Sequence, residues 1–234
     1  MKEGEIIFNG FSSLELNMKL TEYPSVPMTN EEYEEVTIEG RNGSVYINKG
    51  TYPDKKITFV FTKASNKLDI DLEFIQDWLT NINDNRLIYC REDRCYLVKK
   101  VVIGEFLKEF KTYGNIEVTF ICEPFSSSLE SLKQEITQNN FILYYSGTAK
   151  SDTLIRIYGS GNVQLTIDNE TMLIKNIENY VDIDSKLMQI RDSNGQSKDY
   201  DSIGDFVTFE PGLHNISYMG TVTKIKVEYY LRYK

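Results

Sequence analysis

Along the first half of the chain, apolar and polar residues alternate in short runs. Leu14, Leu16, Met18 and Leu20 alternate with Glu15, Asn17 and Lys19, and Ile57, Phe59 and Phe61 with Thr58, Val60 and Thr62. Ile116, Val118, Phe120 and Cys122 repeat the pattern. A period of two predicts strands with one buried face. Gly40, Arg41, Asn42 and Gly43 lie between two such runs and predict a turn, because Asn-Gly tolerates positive φ. One segment breaks the pattern: Leu72, Ile75, Leu79 and Ile82 fall at helical spacing, with Asp69, Asp71 and Glu73 where acids suit a helix dipole. Trp78 stands one step off that stripe and is expected to anchor the core or an interface.

The composition changes at Pro124. Phe125, Ser126, Ser127 and Ser128 have linker chemistry, and Leu129, Leu132 and Ile136 suggest a short connecting helix. Strand patterns then return at 141–145, 154–158, 163–167, 180–183, 187–191, 206–209 and 214–218. A last run alternates Ile225, Val227, Tyr229, Leu231 and Tyr233 with Lys224, Lys226, Glu228, Tyr230 and Arg232. Gly159, Ser160 and Gly161 read as a hairpin turn. Short strands at ~8–12-residue spacing predict an antiparallel sandwich. The expected fold class is therefore mainly β. Residues 1–124 form a β-rich domain with one helix, 125–139 a linker, and 140–234 a C-terminal β-sandwich.

The 234 residues carry 26 basic and 35 acidic side chains, a formal charge of −9. Nucleic-acid binders present a basic face to the phosphate backbone, and the densest basic spot here is Lys99 with Lys100. No specific nucleic-acid binding is expected. The start, MKEGEIIFNGF, places glutamates where a signal peptide is neutral, and no apolar run reaches the ~18 residues of a membrane span. The expectation is synthesis in the cytoplasm without membrane insertion. Cys90, Cys95 and Cys122 make no disulfide scaffold. Cys90 and Cys95 flank a four-residue turn, and a zinc site needs four ligands.

An active site needs a nucleophile, a base and a group that stabilises charge. The single histidine, His214, follows Pro211, Gly212 and Leu213, where a turn enters a strand. Asp182 and Asp184 share one strand face, the minimum for carboxylate-pair chemistry and more often simply a solvated face. The loop 192–201 is rich in oxygen donors that suit calcium but lacks the ligand spacing of an EF-hand. Gly159, Ser160 and Gly161 lack the lysine and helix of a phosphate loop. The acidic run Glu31, Glu32, Tyr33, Glu34 and Glu35 reads as a solvated loop, its other use being contact with a basic partner. Tyr229, Tyr230 and Tyr233 suit protein interfaces or sugar stacking. The expectation is no enzyme, no cofactor and no metal.

Two stretches carry a resemblance. Phe8 to Ser13 leads into Leu14–Leu20, followed by Gly40 to Gly43, the stretch from Tyr52 to Phe59, Ile75 with Trp78 and Leu79, Arg86 to Tyr89, and Val118 to Phe125. Near the end come Gly204, Asp205 and Phe206, then Pro211 to Gly220, and Val222 to Ile225. This colinear set resembles the phage distal tail protein family. The resemblance implies an N-terminal β-barrel or belt domain that closes a ring, usually a hexamer, and an outward galectin-like or jelly-roll sandwich. It implies a place at the virion tail tip, where the ring joins the tail tube protein to the tail-tip hub or tail-associated lysin and to a receptor-binding protein, with DNA passing through the lumen. The candidate self-association and partner residues are Ile57, Phe59, Val60, Phe61 and Trp78, with Lys224 and Lys226 on the sandwich. The competing expectation is a carbohydrate-binding adhesion module acting through the C-terminal sandwich.

Overall fold

The computed structural model describes residues 2–110 and 112–234. The chain divides into two compact units, one of residues up to Ser127 together with Lys234, the other of Ser128–Tyr233.

In the first unit, strands β1 (Ile6–Phe8), β2 (Phe11–Ser12), β3 (Met18–Leu20), β4 (Tyr33–Thr37), β5 (Ser44–Asn48) and β6 (Lys55–Ala64) precede helix α1 (Leu68–Thr80). After it come β7 (Arg86–Tyr89), β8 (Arg94–Phe110) and β9 (Tyr113–Ser128). The main sheet runs β2-β1-β7-β8-β9-β6-β3, an open half-barrel rather than a closed barrel. Strict alternation in β6 sends Ile57, Phe59 and Phe61 into the core, where all three are fully buried. Phe59 meets Tyr89 at 5.1 Å and Phe120 at 5.6 Å, and Phe8 meets Phe120 at 5.0 Å, all edge to face, the geometry aromatic rings favour.

Helix α1 buries Leu68, Ile75, Trp78 and Leu79, so Trp78 belongs to the stripe. Its indole Nε1 donates to the Phe8 carbonyl at 2.8 Å. Asn9, in the left-handed region at φ 48, accepts from Asn83 N and Asp84 N and donates to the Trp78 and Asn81 carbonyls. One side chain thereby ties off the end of the helix, whose last carbonyls have no partner within it. At the other end, buried Lys63 pairs with Asp71 at 2.9 Å and donates to the Leu16 carbonyl. Hydrogen bonds from Ser65 and Lys63 hold the Asp71 carboxyl below the usual carboxylate range.

Several expectations change here. Of 14–20, only Met18–Leu20 is strand. Glu15 N bonds the Ser12 carbonyl, Asn17 N bonds that of Leu14, and Asn17 takes φ 52, so two tight turns replace extended chain despite the alternation. Part of the acidic run is strand β4 rather than loop. Cys90 is exposed at the β7–β8 turn, whereas Cys95 and Cys122 are buried, which pushes their thiols up to about 11 and about 12.

The second unit contains β10 (Leu132–Ile136), β11 (Phe141–Tyr145), β12 (Ser151–Ile167), β13 (Glu170–Ile177), β14 (Tyr180–Asp184) and β15 (Gln189–Asp192). The short strands β16 (Ser202–Ile203) and β17 (Thr208–Phe209) follow, then β18 (Gly212–Tyr229) and β19 (Arg232–Tyr233). The expected linker and connecting helix are not there. β9 continues through Ser128, with Ser126 and Ser127 buried, and β10 pairs in register with β18, Leu132 against Tyr229 and Ile136 against Ile225. Burial of Ile136 and the open edge of β18 outweigh the helical spacing.

The sandwich is built from two long strands that bend together. β12 and β18 pair from Thr153↔Tyr229 to Ile167↔Ile216, with the register broken between Ser160 and Gln164. Before the break β12 pairs with β14, and after it with β13. β18 likewise pairs first with β11 and then with β10. The expected hairpin at 159–161 is therefore a bend inside a continuous strand. A Cβ at Gly159 would lie 2.2 Å from the Thr221 carbonyl oxygen, and one at Gly220, with φ 110, would lie 2.3 Å from that of Asn162. Only glycine allows the backbones to approach this closely. The two halves share one core, in which Ile155, Ile157, Val163 and Leu165 of β12 meet Ile216, Ile225 and Val227 of β18.

Candidate assembly surfaces

Strands β4 and β5 form a two-stranded sheet of their own. They pair from Tyr33↔Asn48 to Thr37↔Ser44, around a turn in which Gly40 and Gly43 have positive φ. No residue of either strand is buried. Alternation puts Tyr33 and Tyr46 on one face and Val36, Val45 and Ile47 on the other, so both faces carry apolar side chains. A lone hairpin is marginal in water. Its base is tied by Glu31, whose carboxylate accepts from Tyr52 at 2.9 Å, Asn48 at 2.6 Å and Tyr33 at 3.2 Å. These bonds, that of Tyr52 first, hold the Glu31 carboxyl below its usual range.

Further exposed apolar side chains stand on α1 and on the end of β8. Ile70 and Phe74, one helical turn apart, point away from the core, and Phe74 is 64% exposed. On β8, Leu107 and Phe110 are 63% and 70% exposed. The Lys108–Asp69 ion pair, 3.2 Å, holds the two elements side by side. A helix with apolar residues on two faces is built to be covered on both. The i, i+4 spacing of Ile70 and Phe74 is visible in the sequence, but Leu72, Ile75 and Leu79 mark the core face more strongly.

Against these surfaces, the expected interface residues divide. Ile57, Phe59 and Phe61 are fully buried and Trp78 nearly so, hence their side chains build the unit's own core and present nothing to a partner. They belong to one buried cluster with Ile75 and Leu79 of α1 and Val118 and Phe120 of β9. Val60, on the opposite face of β6, is half-buried. Lys224 and Lys226 lie on the outer face of the sandwich, 3.3 and 3.7 Å from the same Glu135 oxygen and 5.1 and 5.8 Å from the centre of the Tyr158 ring. Beside them Arg156 makes two bonds to Asp182, 2.6 and 2.7 Å, and sits over Tyr180. This face is a lattice of charges satisfied within its own sheet.

The groups weighed for chemistry have structural partners. His214 is buried, its Nδ1 2.7 Å from Asp168 Oδ2 and its Nε2 2.7 Å from the Glu210 carbonyl. It fastens the β12–β13 turn to the start of β18. Asp182 is taken by Arg156, and Asp184 accepts from the amides of Lys186 and Leu187. In the 192–201 loop, Asp192 accepts from Asn194 N and Gln196 N, and Asp199 from Ile190 N. Among the described residues no three His, Cys, Asp or Glu side chains cluster to hold a metal. Tyr229 packs between Tyr145 and Phe209 in the core and is not available for stacking, whereas Tyr230 is exposed. Among the described residues no helix is long and apolar enough to cross a membrane.

A half-barrel bearing a free hairpin and one helix, followed by a bent-strand sandwich, can be compared with solved structures. The crystal structure of the SPP1 Dit protein (gp 19.1), described as a paradigm of the hub adsorption apparatus in phages infecting Gram-positive bacteria, superposes with a TM-score of 0.76. The fold is that of SPP1 Dit. The match covers 98% of this chain and 99% of that one at 12% identity, so it rests on the course of the backbone rather than on shared side chains. No family model and no curated protein sequence matches the chain. The Dit-like fold agrees with the resemblance carried by the colinear hairpin patterns.

Proposed function

We propose that the chain is a structural distal tail protein of a phage or prophage, without catalytic activity or cofactor. Copies form a ring, six in number, at the virion tail tip. The ring joins the tail tube to the hub and receptor-binding proteins and leaves a lumen for DNA. The observation that carries this reading is the end-to-end likeness to SPP1 Dit, in both units and without a large insertion in either. The first unit supplies side chains that suit self-association, those of the exposed β4–β5 hairpin and the outward Ile70, Phe74 and Phe110. Soluble monomers rarely leave such apolar area open. A formal charge of −9 per copy suits a channel through which DNA slides without being gripped.

The test is the mass of the purified protein in solution by light scattering, with negative-stain images of the same sample. The expected result is a closed ring with six times the mass of the chain. A protein that stays monomeric at high concentration, and that antibodies fail to find at the tips of tails from its host, would overturn the reading.

A further inference from the structure

The C-terminal unit offers its β18 edge to two strands in succession, and the two differ sharply. β10, on one half of the sandwich, carries Lys133 and Glu135 on its outward face, both ion-paired to neighbours on β18. β11, on the other half, reads Phe-Ile-Leu-Tyr-Tyr. It has no charge, no proline and no register shift against β18. Its inward residues Leu143 and Tyr145 are buried, while Ile142 and Tyr144 stand outward at 65% and 66% exposure. Leu213, the partner of Tyr144 across the ladder, is 69% exposed. Among the described residues only β18 pairs with β11, so its other edge presents free N–H and C=O groups.

Proteins blunt such edges with charges, prolines, bulges or very short strands. This chain does so on β10, with its charges, and on the two-residue β16, and does not on β11. We propose that the outer edge of β11 is a strand-addition site for an extended, uncharged segment of another polypeptide, with apolar residues at alternate positions resting beside Ile142 and Tyr144. Backbone hydrogen bonds give such a site its affinity, and alternate side chains give it selectivity. A second copy of this chain fits less well. Antiparallel β11–β11 pairing spans about 17 Å of strand and flanks only two outward apolar side chains per copy, Ile142 and Tyr144, well short of the ~800 Å² per partner of a stable dimer. The proposal goes beyond ring formation and stands whether or not copies of the first unit associate.

The full-length protein is titrated with capped nine-residue peptides that carry valine or isoleucine at alternate positions and threonine between them. Backbone amide exchange across 141–145 is followed throughout. Strand addition slows exchange of the outward amides about tenfold or more, since they leave solvent for a ladder. Ile142→Lys with Tyr144→Lys removes the slowing, while amides of 163–167 keep their wild-type protection and report an intact sandwich. Exchange across 141–145 that no peptide alters, or that slows equally in the double variant, overturns the proposal. Concentration-dependent dimerisation that the double variant loses also overturns it, because the occupant is then a second copy.

Discussion

In the C-terminal unit the outer face of the β10–β18–β12–β14 sheet pairs Lys224 and Lys226 with Glu135 and Arg156 with Asp182, and the inner face closes a core with the other half of the same strands. In the N-terminal unit the inner face is equally well filled, by Phe8, Phe59 and Phe120, yet Phe74 and Phe110 are exposed and the β4–β5 hairpin pairs with no other strand among the described residues. Both units have a complete interior. They differ in how their outward faces are finished: the sheet that holds Lys224 and Lys226 carries a self-satisfied polar lattice, and the apolar side chains of its unit stand elsewhere, as on β11, whereas the first unit exposes apolar side chains on its helix and on its separate hairpin. Burial inside a unit thus says little about its readiness to assemble, which is written in the residues left over after the core is built.

The comparison predicts, first, that the two cores fail separately. Phe59→Ala removes ring contacts with Phe61, Tyr89 and Phe120 and is expected to cost about 3–5 kcal/mol, with Ile157→Ala costing about 2–5 kcal/mol. The single tryptophan, Trp78, reports only the first unit. In urea titrations its fluorescence transition should move for Phe59→Ala and stay in place for Ile157→Ala, whose loss appears by circular dichroism. Transitions that move together for both variants would mean the chain folds as one cooperative block.

A smaller effect sharpens the contrast at the surface. Phe74→Glu and Phe110→Glu alter exposed positions and should change unfolding stability by no more than about 0.5 kcal/mol. At an interface each such anchor contributes about 2 kcal/mol or more, so the pair should shift light-scattering mass toward the single chain. Unchanged assembly would remove both positions from the candidate surfaces. The smallest effect belongs to the polar lattice. Lys224→Glu with Lys226→Glu breaks two exposed pairs with Glu135, worth at most about 1 kcal/mol each. The melting temperature should barely move, and a drop of ten degrees or more would show the lattice to be structural.

Strand alternation was legible where one face meets a core, as in Ile57, Phe59 and Phe61 or Ile116 to Cys122. The helix was legible because Leu72, Ile75 and Leu79 admit no strand reading. Hydrogen bonds that reach only three residues defeated the pattern at 14–17, where the Ser12 and Leu14 carbonyls close turns under an alternating sequence. Leu129, Leu132 and Ile136 have helical spacing, but β10 is fixed by β18, about a hundred residues later in the chain, and no local window contains that partner. The burial of Ile57, Phe59, Phe61 and Trp78, expected at an interface, was hidden for a related reason. β6 is apolar at Val60 as well as at Phe59, and only the position of α1 decides which face is interior. The outward pair Ile70 and Phe74 becomes recognisable once Trp78 is known to point in.

The bent strands also set a timetable for synthesis. Every core residue of the first unit, from Ile6 to Cys122, is made before the second unit begins. The second unit cannot close until β18 arrives, because β10, β11 and β12 all pair with it. At ~10 residues per second, roughly ten seconds separate Cys122 from Tyr229 on the ribosome. Through most of that interval β12 waits with one long edge bare, so a stalled or shortened chain lacking its last twenty or so residues leaves a folded first unit attached to an open, sticky sheet.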